Sequence, residues 1–342
     1  MPAQHFNDPR ISMQHGAGGQ ATRRLVEGLF AAELSNDALN QMGDAAVLPV
    51  QAGRLALTTD TFVVSPHIFP GGSIGSLAIH GTVNDLAVSG AVPIGLTAGF
   101  VLEAGLDSDR LRAQVIDMAV AARAAGVAVV AGDTKVVEHG MADGLYINTA
   151  GVGRVRDDTS LDPARARPGD AVIVSGPIGD HGITIMIARA ELDIEADLRS
   201  DSRSVLPLTS ALLDALGKDV KWMRDATRGG VATVLNELAE QADVGVLLEE
   251  ASIPVRDEVR GACELLGLDP LHVANEGQFV AVVDGARREE ALDALRTIPG
   301  GEGARVIGVI TADHPRRVVG RTDFGAKRVI DVLVGDPLPR IC

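Results

Sequence analysis

A polar stretch from Arg154 to Asp170, which contains Pro163 and Pro168, divides the chain into two halves of similar pattern. Each half alternates short apolar runs of strand length with longer stretches whose apolar residues repeat as on one face of a helix. Such alternation is typical of helices packed on a sheet. The 342 residues are also about twice the usual length of one domain. The pattern therefore predicts an α+β protein of two mixed α/β domains.

We expect four segments along the chain. Residues 1–40 hold a glycine-rich loop followed by a helix, and residues 41–155 form the first domain. Residues 165–326 form the second domain, and residues 327–342 form a flexible tail. Pro337 and Pro339 exclude a continuous helix from that tail, because proline lacks the backbone N–H that a helix needs.

The first half also predicts individual elements. Asp107 or Ser108 is placed to cap a helix that Gly126 ends. A small-residue helix precedes Gly90. The strands of this half are expected at Arg54–Asp60, Pro93–Leu102, Val127–Ala131 and Leu145–Val152.

The charge of the chain excludes some classes of partner. A formal net charge of −15 argues against nucleic acid or an anionic membrane, because both require a basic face. No run of 18 apolar residues predicts a membrane span, and residues 1–10 lack the apolar segment of a secretory signal. With only two cysteines, Cys263 and Cys342, a disulfide framework is not expected. A cytoplasmic protein with free thiols is the favoured interpretation.

Four aspartates in the first half stand beside glycine, threonine or asparagine. They are Asp44, Asp60, Asp85 and Asp133, and three of them lie at the edge of a strand-like segment. Carboxylates at the ends of several elements can converge on one rim and hold Mg²⁺. Taken one at a time, such residues are more often turn and cap aspartates. The set of four favours a metal site.

Two glycine-rich segments could hold an anion. The loop His15–Gly19, with Gly16, Gly18 and Gly19, could offer backbone N–H groups to phosphates, although it matches neither a Walker A loop nor a dinucleotide fingerprint. A flexible linker explains that loop equally well.

The segment Arg224–Gly230 precedes a predicted helix and includes Asp225 and Arg228. A helix N-terminus attracts anions, and Arg228 would reinforce it. An N-cap beside a surface arginine is the equally weighted alternative.

The two cysteines receive different predictions. Cys263 lies in an apolar helical stretch and is expected to be a small core residue. Cys342 is the last residue of the printed sequence, on the proline-containing tail, where a side chain buries little surface. A thiol in that position suits a carrier that holds a chemical group and moves it.

These residues together resemble the HypE family of hydrogenase maturation factors, within the PurM-like superfamily related to aminoimidazole ribotide synthetase. The resemblance runs from end to end. Two of its motifs, Asn84–Ala87 and Gly132–Thr134, belong to the whole superfamily, whereas the terminal Pro339–Cys342 is highly specific for the HypE family. One departure is Gly43–Ala46, which has a single aspartate where many members of the superfamily have two. The other segments that carry the resemblance are His15–Gln20, Thr58–Asp60, Gly81–Pro93, Asn148–Gly153, Gly179–Gly182, Arg224–Gly230 and Asn275–Gly277.

The resemblance implies a fold and a set of ligands. Family members pair through their N-terminal domains, whose sheets combine into a barrel, and ATP binds in a groove near that interface. The chain is then a homodimer whose first domain binds ATP and dimerises. The resemblance assigns ATP to Gly16, Gly18, Gly19, Asp60, Asn84, Asp225 and Arg228, and Mg²⁺ to Asp44, Asp85 and Asp133.

The resemblance also implies an activity. The carbamoyltransferase HypF transfers a carbamoyl group to the terminal cysteine, here Cys342. The protein then uses ATP to dehydrate the thiocarbamate to a thiocyanate, and the cyanide passes to iron on a HypC–HypD complex. Lys135 and Glu276 are the candidates for proton removal and positioning. Without the resemblance, a surface lysine and a turn glutamate would be the preferred interpretation.

Two alternatives remain open at this point. The chain could be another PurM-like ATP-dependent synthetase that acts on a free substrate and has no need of a terminal cysteine. It could also be a non-catalytic maturation scaffold whose tail is only a docking peptide. ATP hydrolysis would separate an enzyme from a scaffold, and deletion of Cys342 would separate the two enzymes.

Overall fold

The structure is a computed structural model that describes residues 6–16, 20–37, 39–41, 53–189, 197–322 and 324–332. Its strands are β1 Leu55–Phe62, β2 Ile68–Phe69, β3 Gly72–Ser73, β4 Ala91–Glu103, β5 Val129–Val137, β6 Leu145–Val155, β7 Ala171–Val174, β8 Val220–Asp225, β9 Gly245–Glu249, β10 Phe279–Val283, β11 Arg305–Thr311, β12 Arg317–Arg321 and β13 Lys327–Ile330. Its α-helices are α1 Gln20–Leu25, α2 Ala31–Glu33, α3 Ile74–Val88, α4 Ser108–Ala124, α5 Asp180–Ala188, α6 Leu206–Leu216, α7 Gly230–Ala242, α8 Asp257–Leu266 and α9 Arg288–Arg296.

The first half forms a four-stranded sheet in the order β1-β6-β4-β5. The β1–β6 and β6–β4 pairs are antiparallel, and β4–β5 is parallel. Helix α3 packs on one face of this sheet and α4 packs against α3. The approach is close, since a Cβ on Gly75 would lie 2.0 Å from the carbonyl oxygen of Gln114.

Capping residues set where these two helices begin. The Ser73 side chain accepts the N–H of Ser76, and the Ser76 hydroxyl in turn accepts the N–H of Ser73. The Asp107 carboxylate accepts the N–H groups of Asp109 and Arg110, which confirms Asp107 as the cap of α4.

The opposite face of the four-stranded sheet carries exposed apolar side chains. Alternate residues of β1 point to each face, and on the open face Leu55 is 47% and Leu57 is 78% exposed. Exposed apolar side chains on one sheet face mark a candidate contact surface.

The second half forms a seven-stranded sheet in the order β13-β12-β9-β11-β7-β10-β8. Strand β10 is buried at every position because helices cover both faces of the sheet. Helices α6 and α9 bury one face, and α7 buries the other. Helices α5 and α8 contribute apolar residues to the core that also contains α3 and α4, so the two halves share a packed boundary.

Two predicted segments differ from the structure. Strand β5 was expected to end before Gly132, but it continues through Gly132–Thr134 to Val137, because this segment pairs along its whole length with β4. The tail was expected to begin at Lys327, but Lys327–Ile330 is strand β13, paired with β12, and Ile330 is fully buried. In the part of the chain that the structure describes, no helix is both long and apolar enough to cross a membrane.

Candidate active site

A groove of about 680 Å³ lies between the two halves of the chain. Strand β1 and the end of α3 form one side, and the end of β8, the start of α7 and the turn at Glu276 form the other. The polar and charged residues that line the groove are Thr58, Thr59, Asp60, Asp85, Ser89, Arg224, Asp225, Thr227, Arg228, Thr233, Glu237 and Glu276. The groove therefore brings together five of the residues predicted from the sequence.

Asp60 and Asp85 face each other across the β1–α3 contact. The Thr58 hydroxyl donates to Oδ2 of Asp85 over 2.5 Å. Burial raises the pKa of both carboxyls, and the charge of Asp85 further raises the pKa of Asp60. An ionised carboxylate pair here lacks the hydration that it would have in water, so a cation in the groove would be favoured.

Asp225 ends strand β8, directly opposite Phe279 of the buried strand β10. It is 8% exposed, and burial together with the charge of Asp85 raises its pKa to about 7. Asp225 therefore holds a proton much more readily than an ordinary aspartate does.

Glu276 is a buried acid of the groove whose pKa is raised. It is 4% exposed, and burial raises its pKa well above the ordinary value, as do the charges of Asp201, Asp225, Asp60 and Asp85. Among the described residues its carboxyl has no hydrogen-bond partner. A buried carboxyl with high proton affinity and free oxygens is suited to proton transfer.

The turn that carries Glu276 is fixed by its neighbour Asn275. Oδ1 of Asn275 accepts the N–H of Gly179 over 2.7 Å, and Nδ2 donates to the carbonyls of Ala226 and Val273. The Asn275 side chain thus connects this turn to α5 and to the segment after β8.

The N-terminus of α7 faces the groove with no side-chain cap. Gly229 and Gly230 both have positive φ, and a Cβ on Gly230 would lie 2.5 Å from the carbonyl oxygen of Leu271. Glycine is required for this close approach. Uncapped N–H groups beside Arg228 are what the predicted anion site requires. Nη2 of Arg224 lies 3.7 Å from Oε2 of Glu237 at the rim of the groove.

Asn84 has a structural role besides the one predicted. Its Oδ1 accepts the N–H of Val205, and its Nδ2 donates to the carbonyls of Arg203 and Glu276. Both amide donors and one acceptor site are therefore used by backbone groups of the second half. The side chain connects α3 to the Glu276 turn, and its binding to the cofactor stays a prediction.

Asp133 and Lys135 do not lie in this groove. Across the sheet, Thr61 of β1 pairs with Asn148 of β6, which pairs with Gly99 of β4, and Gly99 pairs with Asp133 of β5. Nδ2 of Asn148 donates to the Thr61 hydroxyl on the open face. Residues opposite one another share a face, so Asp133 lies on the face away from α3. The predicted convergence of Asp133 with Asp85 on one rim is therefore wrong within a single protomer.

The Asp133–Lys135 pair is exposed to solvent. The two side chains are 70% and 67% exposed, and Nζ of Lys135 lies 2.8 Å from Oδ2 of Asp133. Hydrogen bonding to Lys135 lowers the pKa of Asp133, whereas burial raises the pKa of the groove acids.

Several predicted residues cannot be placed in the groove. Gly18, Gly19, Asp44 and Cys342 lie outside the described residues. Gly16 ends a short 3₁₀ turn, Met13–Gly16, that is not part of the groove lining. Cys263 is buried as predicted, and burial raises the pKa of its thiol to about 11.

The carboxylates of the groove are candidate ligands for a metal ion. Within the described ranges, no three histidine, cysteine or acidic side chains come together closely enough to hold a metal ion. Mg²⁺ needs fewer protein ligands than that, because it usually takes one or two carboxylates together with substrate phosphates and water. The Asp60 and Asp85 carboxylates fit that requirement.

Comparisons with known proteins identify the family. The model of the AIR synthase related protein N-terminal domain matches residues 42–155, and that of its C-terminal domain matches residues 167–320. Carbamoyl dehydratase HypE of Azotobacter vinelandii is 51% identical over 97% of this chain and 97% of its own. The chain belongs to the HypE family. Its two-domain α+β fold is the PurM-like fold that the sequence predicted.

Solved structures of the HypE family agree closely with this chain. HypE in complex with ATP is 45% identical, with a TM-score of 0.92 over 97% of this chain and 99% of that one. HypE from a HypE–HypF complex is 42% identical, with a TM-score of 0.80 over 90% and 99% of the two chains.

Sequence reasoning missed Thr58 as a partner of Asp85, and it missed Asp201. Thr58 stands two residues before Asp60, so strand periodicity places both side chains on one face and could have identified it. Asp201 stands in a polar stretch with no motif around it.

Proposed function

We propose that this chain is an ATP-dependent carbamoyl dehydratase that converts the S-carbamoyl group on its own Cys342 to a thiocyanate, for the cyanide ligand of a [NiFe] hydrogenase iron centre. Its place in the HypE family supports the class of reaction. The observation that carries the chemistry is Glu276, a buried carboxyl with raised pKa and free oxygens beside an anion-binding helix terminus.

The groove residues divide the work of binding ATP. The N–H groups at the start of α7 and Arg228 hold phosphate oxygens, while Asp225 lies on the same side of the groove and Asp60 on the opposite side. Asp85 and Asp60, with Asp44 as a further ligand, would hold Mg²⁺, which when bound would supply positive charge against the triphosphate. The solved HypE–ATP complex supports nucleotide binding in this family.

ATP supplies the leaving group for an oxygen that otherwise leaves poorly. The carbamoyl oxygen takes the γ-phosphoryl group and ADP departs. The nitrogen loses one of its two protons to solvent when the phosphorylated imidate forms. Glu276 accepts the second proton, the electron pair of that N–H bond forms the C≡N bond, and the C–O bond breaks to release phosphate. The sum is thiocarbamate plus ATP to thiocyanate, ADP and phosphate. A raised pKa makes Glu276 a stronger base than an ordinary glutamate.

The tail begins next to the groove. The Asn236 side chain on α7 donates to the carbonyl of Ile330 over 3.0 Å, and His272 lies 2.8 Å from the carbonyl oxygen of Asp331. Asn236 is six positions, about 9 Å, along α7 from Gly230. Ten residues follow Val332, which fully extended span about 35 Å. Cys342 can therefore reach Glu276 or a partner.

The protein works as a homodimer. The four-stranded sheet has an open apolar face, and β1 and β5 are its edges. Two such sheets that close into an eight-stranded barrel remove both edges and place β5 of one protomer beside β1 of the other. Neighbouring strands lie about 4.8 Å apart and side chains opposite one another share a face, so the partner's Lys135 and Asp133 lie on the side of β1 that carries Thr59 and Thr61. Lys135 and Asp133 then belong to the interface between the two protomers.

The other partners follow from the reaction. HypF supplies the carbamoyl group, as the solved HypE–HypF complex supports, and a HypC–HypD complex receives the cyanide. The reaction belongs in the cytoplasm, where ATP is present and thiols stay reduced.

The mass of the C-terminal peptide tests this function. The protein is first carbamoylated by HypF, freed of nucleotide, and then incubated with or without ATP and Mg²⁺. We expect the peptide to gain one carbamoyl group and then to lose one water only with ATP. Cys342→Ala should keep its fold and its ATP binding while showing neither step. Loss of water without nucleotide would contradict the ATP-driven mechanism.

A further inference from the structure

The backbone of the Glu276 turn is held by a second carboxylate from another segment. Oδ1 of Asp201 accepts the N–H of Glu276 over 3.1 Å, and Oδ2 accepts the N–H of Gly277 over 3.2 Å. Both oxygens of one carboxylate therefore hold two successive amides. Asp201 precedes α6 and does not line the groove itself.

The contact is close enough to fix the turn in place. A Cβ on Gly277 would lie 1.9 Å from the carbonyl oxygen of Asp201, so only glycine fits. From the same segment, Nε of Arg203 donates to the carbonyl of Gly277 over 3.1 Å, and Nη1 donates to Gly300 over 2.7 Å. Residues 201–203 thus bind both the N–H and the C=O groups of the turn.

The Glu276 side chain is left free by these bonds. Its backbone N–H is bound by Asp201 and its backbone carbonyl by Asn84, while its carboxyl has no hydrogen-bond partner among the described residues. A catalytic side chain is placed best when the backbone under it cannot move.

The charge of Asp201 also acts on Glu276, by raising the pKa of its carboxyl. Asp201 is the first of the neighbouring charges that raise the pKa of Glu276, after burial itself. The other acids that act on Glu276 are Asp225, Asp60 and Asp85. Burial also raises the pKa of Asp201 to about 6, so at neutral pH it is mostly ionised.

We propose that Asp201 is a positioning residue that fixes the Glu276 turn for the dehydration step. This inference rests on the proposed function. Asp201 touches neither nucleotide nor tail, so it acts on the rate of the chemical step through Glu276 and has little influence on the binding of ATP.

Asp201→Asn tests the inference against a matched control. The variant places an NH₂ group against the backbone N–H of Glu276 or Gly277, and two donors cannot bond to each other. The turn therefore loses one hydrogen bond and shifts. We expect kcat for ATP-dependent loss of water to fall about 100-fold, as displacement by about 1 Å can cause, with KM for ATP changed less than about twofold. The control is Asp170→Asn, because Asp170 is 6% exposed and accepts the N–H of Arg167 away from the groove. It should keep full kcat.

A double-mutant cycle with Glu276→Gln separates positioning from general damage. If Asp201 acts through Glu276, Asp201→Asn should cost almost nothing further in the Glu276→Gln background. Additive losses, an unchanged kcat in Asp201→Asn, or an equal loss in Asp170→Asn would each overturn the proposal. Should Asp201→Asn fail to fold, Arg203→Lys enters the same cycle, with the same expected non-additivity and the same contradicting result.

Amide hydrogen exchange gives a readout that needs no substrate. In Asp201→Asn, protection should fall at Glu276 and Gly277 and stay unchanged in β10, next along the chain. Unchanged protection at both amides would overturn the proposed clamp. A wild-type protein that never loses water with ATP would reject the proposed function, while the exchange experiment would still decide whether Asp201 holds the turn.

Discussion

Glu276 at the boundary of the two halves and Asp133 on the open face of the four-stranded sheet are carboxyl groups in opposite environments. Glu276 is buried without a hydrogen-bond partner for its carboxyl among the described residues, and its pKa is raised well above the ordinary value. Asp133 is 70% exposed, bound to Lys135, and its pKa is lowered. In the sequence both simply stand in glycine-containing turn-like motifs. The comparison shows that position in the fold decides which acid is able to transfer protons and which carries a fixed charge.

The largest expected effect comes from Glu276→Gln. The amide keeps the shape of the side chain and loses its ability to accept a proton. We expect kcat for ATP-dependent loss of water from the tail peptide to fall by about 10²–10⁴-fold, the usual contribution of a general base. In the wild type the rate should rise with pH, because Glu276 must be ionised and its pKa is raised.

The control for this prediction is Glu237→Gln, which changes an acid at the rim of the same groove. It should retain most of the activity. An equal fall of kcat in the two variants would show that the reaction depends on the negative charge of the groove and not on proton transfer at Glu276.

A smaller effect is expected for the stability of Asp225→Asn. In the folded protein the pKa of Asp225 is about 7, above the value of 3.8 that it has when exposed, so the folded state binds more protons between those two pH values. Stability must then fall as pH rises through this window. Asp225→Asn should remove much of that slope and raise the free energy of unfolding near pH 7 by on the order of 1–3 kcal/mol. Urea unfolding without Mg²⁺ and nucleotide measures the free energy of unfolding and its dependence on pH. A pH dependence that is unchanged in the variant would show that the pKa of Asp225 is not raised in the folded protein.

The smallest expected effect is on the stability of Asp133→Asn. Its ion pair with Lys135 is exposed and screened by solvent, so the free energy of unfolding should change by less than about 0.5 kcal/mol. A stability loss comparable to that of a buried pair would contradict the exposed position.

Sequence reasoning succeeded where the signal is local. The cap at Asp107, the buried Cys263 and the helix that follows Arg224–Gly230 depend on neighbours within a few residues, and all three were predicted. The alternation of strand-like and helix-like stretches predicted two mixed α/β domains, and the family resemblance then added the PurM-like fold.

The failures involve information that strand pairing creates. Asp133 lies on the open face because Gly99 is its partner in β4, and a shift by one residue would place it on the α3 face. Asn84 stands beside Asp85 in one motif, yet it turns to the backbone of Val205 and Glu276 in the other half of the chain. No spacing in the sequence records those contacts. Asp201 is a further example, since Glu276, whose N–H it accepts, lies 75 positions further along the chain.

Mixed dimers test most directly whether each catalytic site is built by two protomers. Lys135→Ala and Glu276→Gln chains with different tags are co-expressed, carbamoylated and assayed for ATP-dependent loss of water. If Lys135 acts on the partner's Glu276, a mixed dimer has one site with both defects and one intact site. Random pairing should then restore about a quarter of wild-type activity, although each parent dimer is inactive. A mixture no more active than its parents would contradict the shared site and place both residues in one protomer.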